Sequence, residues 1–172
     1  MRLFSAVLPP PAVAESGWRA LAGVRADVPG PRWVRPQQWH VTLEFYGEAD
    51  AAERSRWLGT ELAGRPAPVL RLEGAGTFAR ILYLGVYGAG LTELATAAGA
   101  GRDRPYLPHV TVARTRGDVP PELPARLAGY VSETWTATEA VLMRSEPGEG
   151  GTRYSVIDRF PLASRPAGES PA

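Results

Sequence analysis

Residues 39–46 read WHVTLEFY and residues 108–116 read PHVTVARTR. They hold the chain's two histidines, His40 and His109, and each is followed by Val-Thr. Both stretches are rich in β-branched and aromatic residues and alternate apolar with polar positions, which specifies strand. Side chains alternate along a strand, so residues i and i+2 share a face. His40 and Thr42 therefore point one way, and Val41, Leu43 and Phe45 the other. His109 and Thr111 are set against Val110 and Val112 in the same manner. Each strand has an apolar side for a core and a His/Thr side left for other use. Two such strands side by side make a cleft with two imidazoles and two hydroxyls.

Outward from these strands, elements of both kinds interleave. RLFSAVL (2–8) reads as a strand halted by three prolines, and Val13, Trp18, Leu21 and Val24 mark one helix from residue 12 to about 25. PRWVRP (31–36) is a short strand. Asp50 opens a helix that Gly64 closes. APVLRLEGAGTF (67–78) and RILYLGVYG (80–88) are strands, and AGLTELATAAGA (89–100) is a short helix. A helix within 120–131 is interrupted by Pro124, and residues 134–146 and 151–162 form a closing hairpin around PGEGG. The pattern predicts an α+β fold. The HVT tripeptides lie 69 residues apart (109 − 40), each followed by a helix and later by strands, which suggests two similar lobes. Residues 1–162 are expected to form one bilobal domain, and residues 163–172, without apolar content, a disordered tail.

The bulk composition excludes more than it selects. The chain has 172 residues and a net charge of +1, so charge alone names no polyanionic partner. Every one of its 19 basic side chains is Arg, the better fork for phosphate. There is no Cys, which removes disulfides, thiolate metal sites and a Cys nucleophile. Two His without Cys argue against a zinc site, and no cofactor is expected. No apolar run approaches the roughly 20 residues that span a bilayer. The N-terminal apolar run is too short for a signal h-region, so the cytoplasm is the expected location and no membrane partner is expected.

Imidazole titrates near neutrality, so one His can take a proton while the other gives one. That pair suits in-line displacement at phosphorus. A Thr hydroxyl beside each can hydrogen-bond the non-bridging phosphate oxygens. His40 and His109 are the candidate catalytic residues, with no metal required. Thr42 and Thr111 are candidate substrate-binding residues.

With these residues in hand, the sequence resembles the 2H phosphoesterase family, and within it the RNA 2′,3′-cyclic phosphodiesterases, also called 2′-5′ RNA ligases. MRLFSAVLPP resembles the opening strand of that family, WVRPQQWHVTLEFYGE its first motif, YLPHVTVAR its second and GTRYSVIDRFPL its closing strand. The resemblance implies two pseudo-symmetric lobes, each an antiparallel sheet with outer helices, and a central cleft holding the histidines. It implies hydrolysis of an RNA 2′,3′-cyclic phosphate to a 2′-phosphomonoester, with tRNA fragments among the candidate substrates, and 2′-5′ ligation as a companion reaction. It assigns His40 as general acid and His109 as general base. A monomer is expected, because one chain builds the cleft. Small cyclic nucleotides, such as an ADP-ribose cyclic phosphate, and a non-catalytic role in binding RNA ends are the competing readings.

Two further residues come from the resemblance. Arg114 matches an Arg taken to bind phosphate or RNA. Strict alternation from His109 aims it away from the cleft, so a bulge or the strand's end is required. Phe4 matches an aromatic position of the opening strand, where it either lines the cleft and stacks a base or packs in the core. Arg32, Arg35, Arg80, Arg102 and Arg104 are candidates for a basic rim, and Trp33 and Trp39 flank the first motif.

Overall fold

The computed structural model describes residues 1–164. In chain order the elements are β1 (Arg2–Val7), α1 (Pro11–Ala20), α2 (Ala22–Asp27), β2 (Arg32–Trp33), β3 (Val41–Glu48), α3 (Ala51–Glu61), β4 (Val69–Phe78) and β5 (Ile81–Tyr87). There follow α4 (Leu91–Ala97), β6 (His109–Arg114), α5 (Glu122–Arg126), β7 (Trp135–Thr136), β8 (Glu139–Gly148) and β9 (Gly151–Pro161). A 3-10 turn over Pro36–Gln38 leads into His40.

The strands make two antiparallel sheets. One has the order β3-β1-β8-β9 and is built from the two ends of the described chain. The other has the order β2-β6-β5-β4-β7 and comes mostly from its middle. The motif strand β3 lies at one sheet's edge and β6 beside the short β2 in the other. The trios β3-β1-β8 and β6-β5-β4 correspond, which is the expected pseudo-symmetry. Leu3, Val7 and Leu43 of the first sheet join Leu82, Leu84, Val110 and Val112 of the second in one buried cluster. The lobes therefore share a core, and neither is closed without the other. A fully buried Leu contributes roughly 1.5–3 kcal/mol here, so the shared layer sets the relative position of the two motif strands. A smaller cluster, Phe4, Ala6, Val141 and Met143, lies on the opposite, cleft-facing side of the first sheet.

Both motif strands are bulged at the same place. Against β1, Thr42 pairs with Ala6 and Glu44 with Ser5, so Leu43 has no partner. Against β5, Thr111 pairs with Tyr83 and Ala113 with Leu82, so Val112 has none. An extra residue resets the alternation of side chains. Leu43 remains in the core, but Phe45, expected there with it, is 64% exposed. In β6 the same slip buries both Val112 and Ala113 and leaves Arg114 exposed.

Other expectations shift modestly. The single helix after β1 is two helices. Trp18 O accepts from Leu21 N–H (3.2 Å) and from the Arg25 guanidinium (3.0 Å), and the chain turns at Leu21. Pro124 does not interrupt α5, because it sits in the helix's first turn, where the missing N–H has no helical partner to lose. Asp50 caps α3 through Glu53 N–H at 2.9 Å, as expected. The tail was expected from residue 163, yet Ala163 is hydrogen-bonded to Arg65 O (2.8 Å) and Ala67 N–H (2.9 Å). The rest of that tail, residues 165–172, lies outside the described residues. No helix among the described residues is long and apolar enough to cross a membrane.

Candidate active site

His40 immediately precedes β3, and His109 is the first residue of β6. Each imidazole is fixed in the same way. His40 Nδ1 lies 2.9 Å from Gln38 O, and His109 Nδ1 lies 2.8 Å from Leu107 O. A carbonyl only accepts, so Nδ1 carries hydrogen in both rings. Each Nε2 is then the atom that takes or gives a proton. The matching bond to residue i−2 is a second repeat, which the HVT letters do not show.

Each imidazole also lies between two aromatic rings. Phe4 and Tyr154 stand 5.0 Å and 4.9 Å from His40, and Phe78 and Tyr83 stand 4.9 Å and 5.4 Å from His109. Such edge and tilted contacts hold a ring's orientation while leaving its free nitrogen open. Behind His40, buried Trp39 donates its indole N–H to Val34 O at 2.9 Å. Trp39 also presses on Gly17 of α1, where an added Cβ would come within 2.6 Å of the indole ring. Trp39 is thus a packing residue that anchors the motif. Trp33 is half-buried and lines the cleft.

Burial pushes His40 below its ordinary value of 6.5, helped by the charges of His109 and Arg114 and opposed by the bond to Gln38. Burial likewise pushes His109 down, helped by Arg114 and opposed by the bond to Leu107. Arg114 therefore acts on both imidazoles, and the bulge at Val112 is what turns it towards them. His40 also feels His109, so a doubly protonated pair is costly, and the state with one proton on the pair is displaced to the acid side of the ordinary imidazole range.

A cleft of about 590 Å³ joins the lobes and is lined by His40, Thr111 and Arg114, with Tyr154. Thr42 and His109 do not line that volume. Both threonines are half-buried, and among the described residues neither hydroxyl is taken by another protein group. Phe4 needs correction as a base-stacking residue. It is only 1% exposed, lies under His40 and presents no free face. Of the expected rim, Arg32 and Arg35 line the cleft, whereas Arg102 lines a separate groove between α3 and α4.

Tyr154, Phe78, Tyr83 and Arg2 were not singled out from the sequence. Arg2 was within reach, since it sits two residues before Phe4 and so shares its face of β1. The other three depend on which strands become neighbours.

A family model described as LigT-like phosphoesterase matches residues 7–87. An RNA 2′,3′-cyclic phosphodiesterase of Thermus thermophilus is 33% identical, over 94% of this chain and 90% of that protein. The chain belongs to the LigT-like phosphoesterase family. Its fold also agrees with solved members. The crystal structure of TT0787 of Thermus thermophilus superposes with a TM-score of 0.76 at 30% identity, over 94% of this chain and 98% of that one. E. coli LigT complexed with 3′-AMP gives 0.70 at 28% identity, over 94% and 97%. The bilobal α+β architecture and the phosphoesterase class expected from the two HVT motifs both stand.

Proposed function

We propose that this protein hydrolyses RNA 2′,3′-cyclic phosphate ends to 2′-phosphomonoesters with His40 and His109 as its acid–base pair. The observation that carries the proposal is the matched presentation of the two imidazoles, each with Nδ1 tied to the carbonyl two residues back and, among the described residues, no protein group bonded to Nε2. His109 takes a proton from water, and the water oxygen attacks phosphorus. The P–O3′ bond breaks in line, and His40 gives its proton to the leaving 3′ oxygen. The 2′ oxygen keeps the phosphate. Arg114 and the hydroxyls of Thr42 and Thr111 hold the non-bridging oxygens as charge builds on them. Relief of ring strain lowers the barrier, and no step calls on a metal ion. The anionic substrate offsets the Arg114 charge, which lets the histidine pair hold its one proton more readily than in the free enzyme. The cleft is complete within one chain, and we read the enzyme as a monomer.

The test uses an oligoribonucleotide ending in a 2′,3′-cyclic phosphate, in EDTA, beside His40→Ala and His109→Ala. Wild type alone should give a 2′-phosphate end. A 3′-phosphate product, abolition by EDTA or undiminished turnover by either variant would sink the mechanism.

A further inference from the structure

Arg2, Arg32 and Arg35 are three guanidiniums that the acid–base chemistry does not use, and they line the cleft with Arg114. None of the four forms an ion pair among the described residues. The one acidic side chain on that wall, Glu146, is already paired with Arg144 at 3.1 Å. Glu48, the cross-strand neighbour of Arg2, is held by the N-terminal ammonium at 2.6 Å.

The arrangement is costly in the free protein. Arg32 and Arg114 are direct cross-strand partners on β2 and β6. Like charges placed opposite one another on a sheet repel, and among the described residues no carboxylate is paired with either. Arg32 also reaches the other lobe, because its guanidinium fills the space a Cβ on Gly151 would occupy at the β8–β9 turn. The basic wall is therefore shared by both sheets, and an anion bound there would relieve the repulsion.

The cleft differs sharply on the two sides of His40 and Tyr154. On one side lie these arginines. On the other is a hollow of about 560 Å³ with an apolar wall of prolines at 9–11 and 36, where the only charged side chains among the described residues are two carboxylates, Glu15 and the Arg159-paired Glu139. A nucleotide with a cyclic phosphate end has only two other recognisable groups, an uncharged aromatic base and the singly charged diester at its 5′ oxygen. The charge assigns them to opposite sides.

We infer that Arg2, Arg32 and Arg35 form a subsite for the phosphodiester immediately upstream of the reacting nucleotide, so the enzyme selects polynucleotide ends over cyclic mononucleotides. The inference rests on the hydrolytic reading above and adds the polarity of the strand in the cleft. Arginine suits the task, since it forks onto two phosphate oxygens and never loses its charge.

The experiment compares kcat/KM for a nucleoside 2′,3′-cyclic phosphate and for a dinucleotide ending in the same group, which adds one diester. Wild type should prefer the dinucleotide by at least roughly tenfold. Arg2→Ala and Arg35→Ala should each slow the dinucleotide by roughly 5- to 50-fold and leave the mononucleotide unchanged. Each should also reduce the log–log salt slope for the dinucleotide by about 0.7. Arg32→Ala should follow them, with its melting temperature checked because Arg32 also touches the hairpin. Equal slowing of both substrates, or no preference in wild type, overturns the subsite. If wild type turns over neither substrate, the hydrolytic reading has failed instead. The subsite is then judged by calorimetric affinity for the dinucleotide, which must fall in the Arg2→Ala, Arg35→Ala double variant or the inference falls too.

Discussion

His40 is packed by the rings of Phe4 and Tyr154, and His109 by those of Phe78 and Tyr83. Both histidines stand where a motif strand begins, His40 just before β3 and His109 as the first residue of β6; both bond the carbonyl of residue i−2, and both strands bulge at the residue after the threonine. The halves part company two residues beyond that bulge. Phe45 stands there in one lobe and Arg114 in the other, each brought to the cleft face by the slip in register. The repeated frame fixes the imidazoles, and the position that differs sets the charge they feel. A symmetric frame with one asymmetric cation is what a reaction with two unlike proton transfers at one anion asks for.

The hardest test of the shared frame is removal of either imidazole. His40→Ala and His109→Ala should each lower kcat by roughly 10²- to 10⁴-fold, with KM within a few-fold of wild type. Because the pair acts as a unit, the double variant should be hardly slower than the worse single one. Multiplying losses in the double variant would mean that the histidines act in separate steps and not as one pair.

The aromatic walls should separate the lobes by stability. Phe4 is 1% exposed and Phe78 is 36% exposed. Phe4→Ala leaves a cavity beneath His40 and should cost about 3–5 kcal/mol in denaturant unfolding. Phe78→Ala removes a ring that is partly in water already and should cost about 1 kcal/mol or less. Phe4→Leu keeps most of the volume and serves where the alanine variant does not fold. Equal losses at the two positions would mean that the cleft face of the first sheet is not the packed layer described above.

Much of this arrangement is legible in the letters. The HVT pair names the strands, the histidines and the hydroxyls, because period-two alternation is a local property. The burial of Val41 and Val110 follows from the same alternation. What escapes is where the alternation breaks. Nothing in VTLEF or VTVAR marks the bulge, since a bulge is a relation between a strand and its neighbour. Hence Phe45 reads as core and is exposed, while Arg114 demands a bulge that only the pairing with β5 supplies. Phe4 fails as a stacking surface for a similar reason, because Val141 and Met143 of β8 and Tyr154 of β9 pack on it, and the strand order β1-β8-β9 is a matter of topology. The rim arginines sort themselves in the same way. Arg32 and Arg35 are no different in sequence context from Arg102, but only the first two line the cleft with His40.

The finest difference between the lobes is electrostatic, and it has a sign. A His whose value is lowered stays neutral further into acid, so the state with one proton on the pair is centred below the ordinary 6.5 for imidazole. The pH profile of kcat/KM, which reports the free enzyme, should be bell-shaped with its maximum below that value. Arg114 lowers both histidines. Arg114→Ala should therefore move the maximum towards higher pH, whatever it does to the rate at the maximum, and Arg114→Lys should leave it near the wild-type position. Phe45→Arg places a second cation at the matching point of the other lobe and should move the maximum the opposite way. The shifts will be small, because burial and not charge is the largest influence on either ring. Their direction is still decisive. An Arg114→Ala enzyme that is slower but has an unmoved maximum would make Arg114 a phosphate ligand alone, and the asymmetry between the lobes would then lie in substrate binding and not in the proton inventory of the pair.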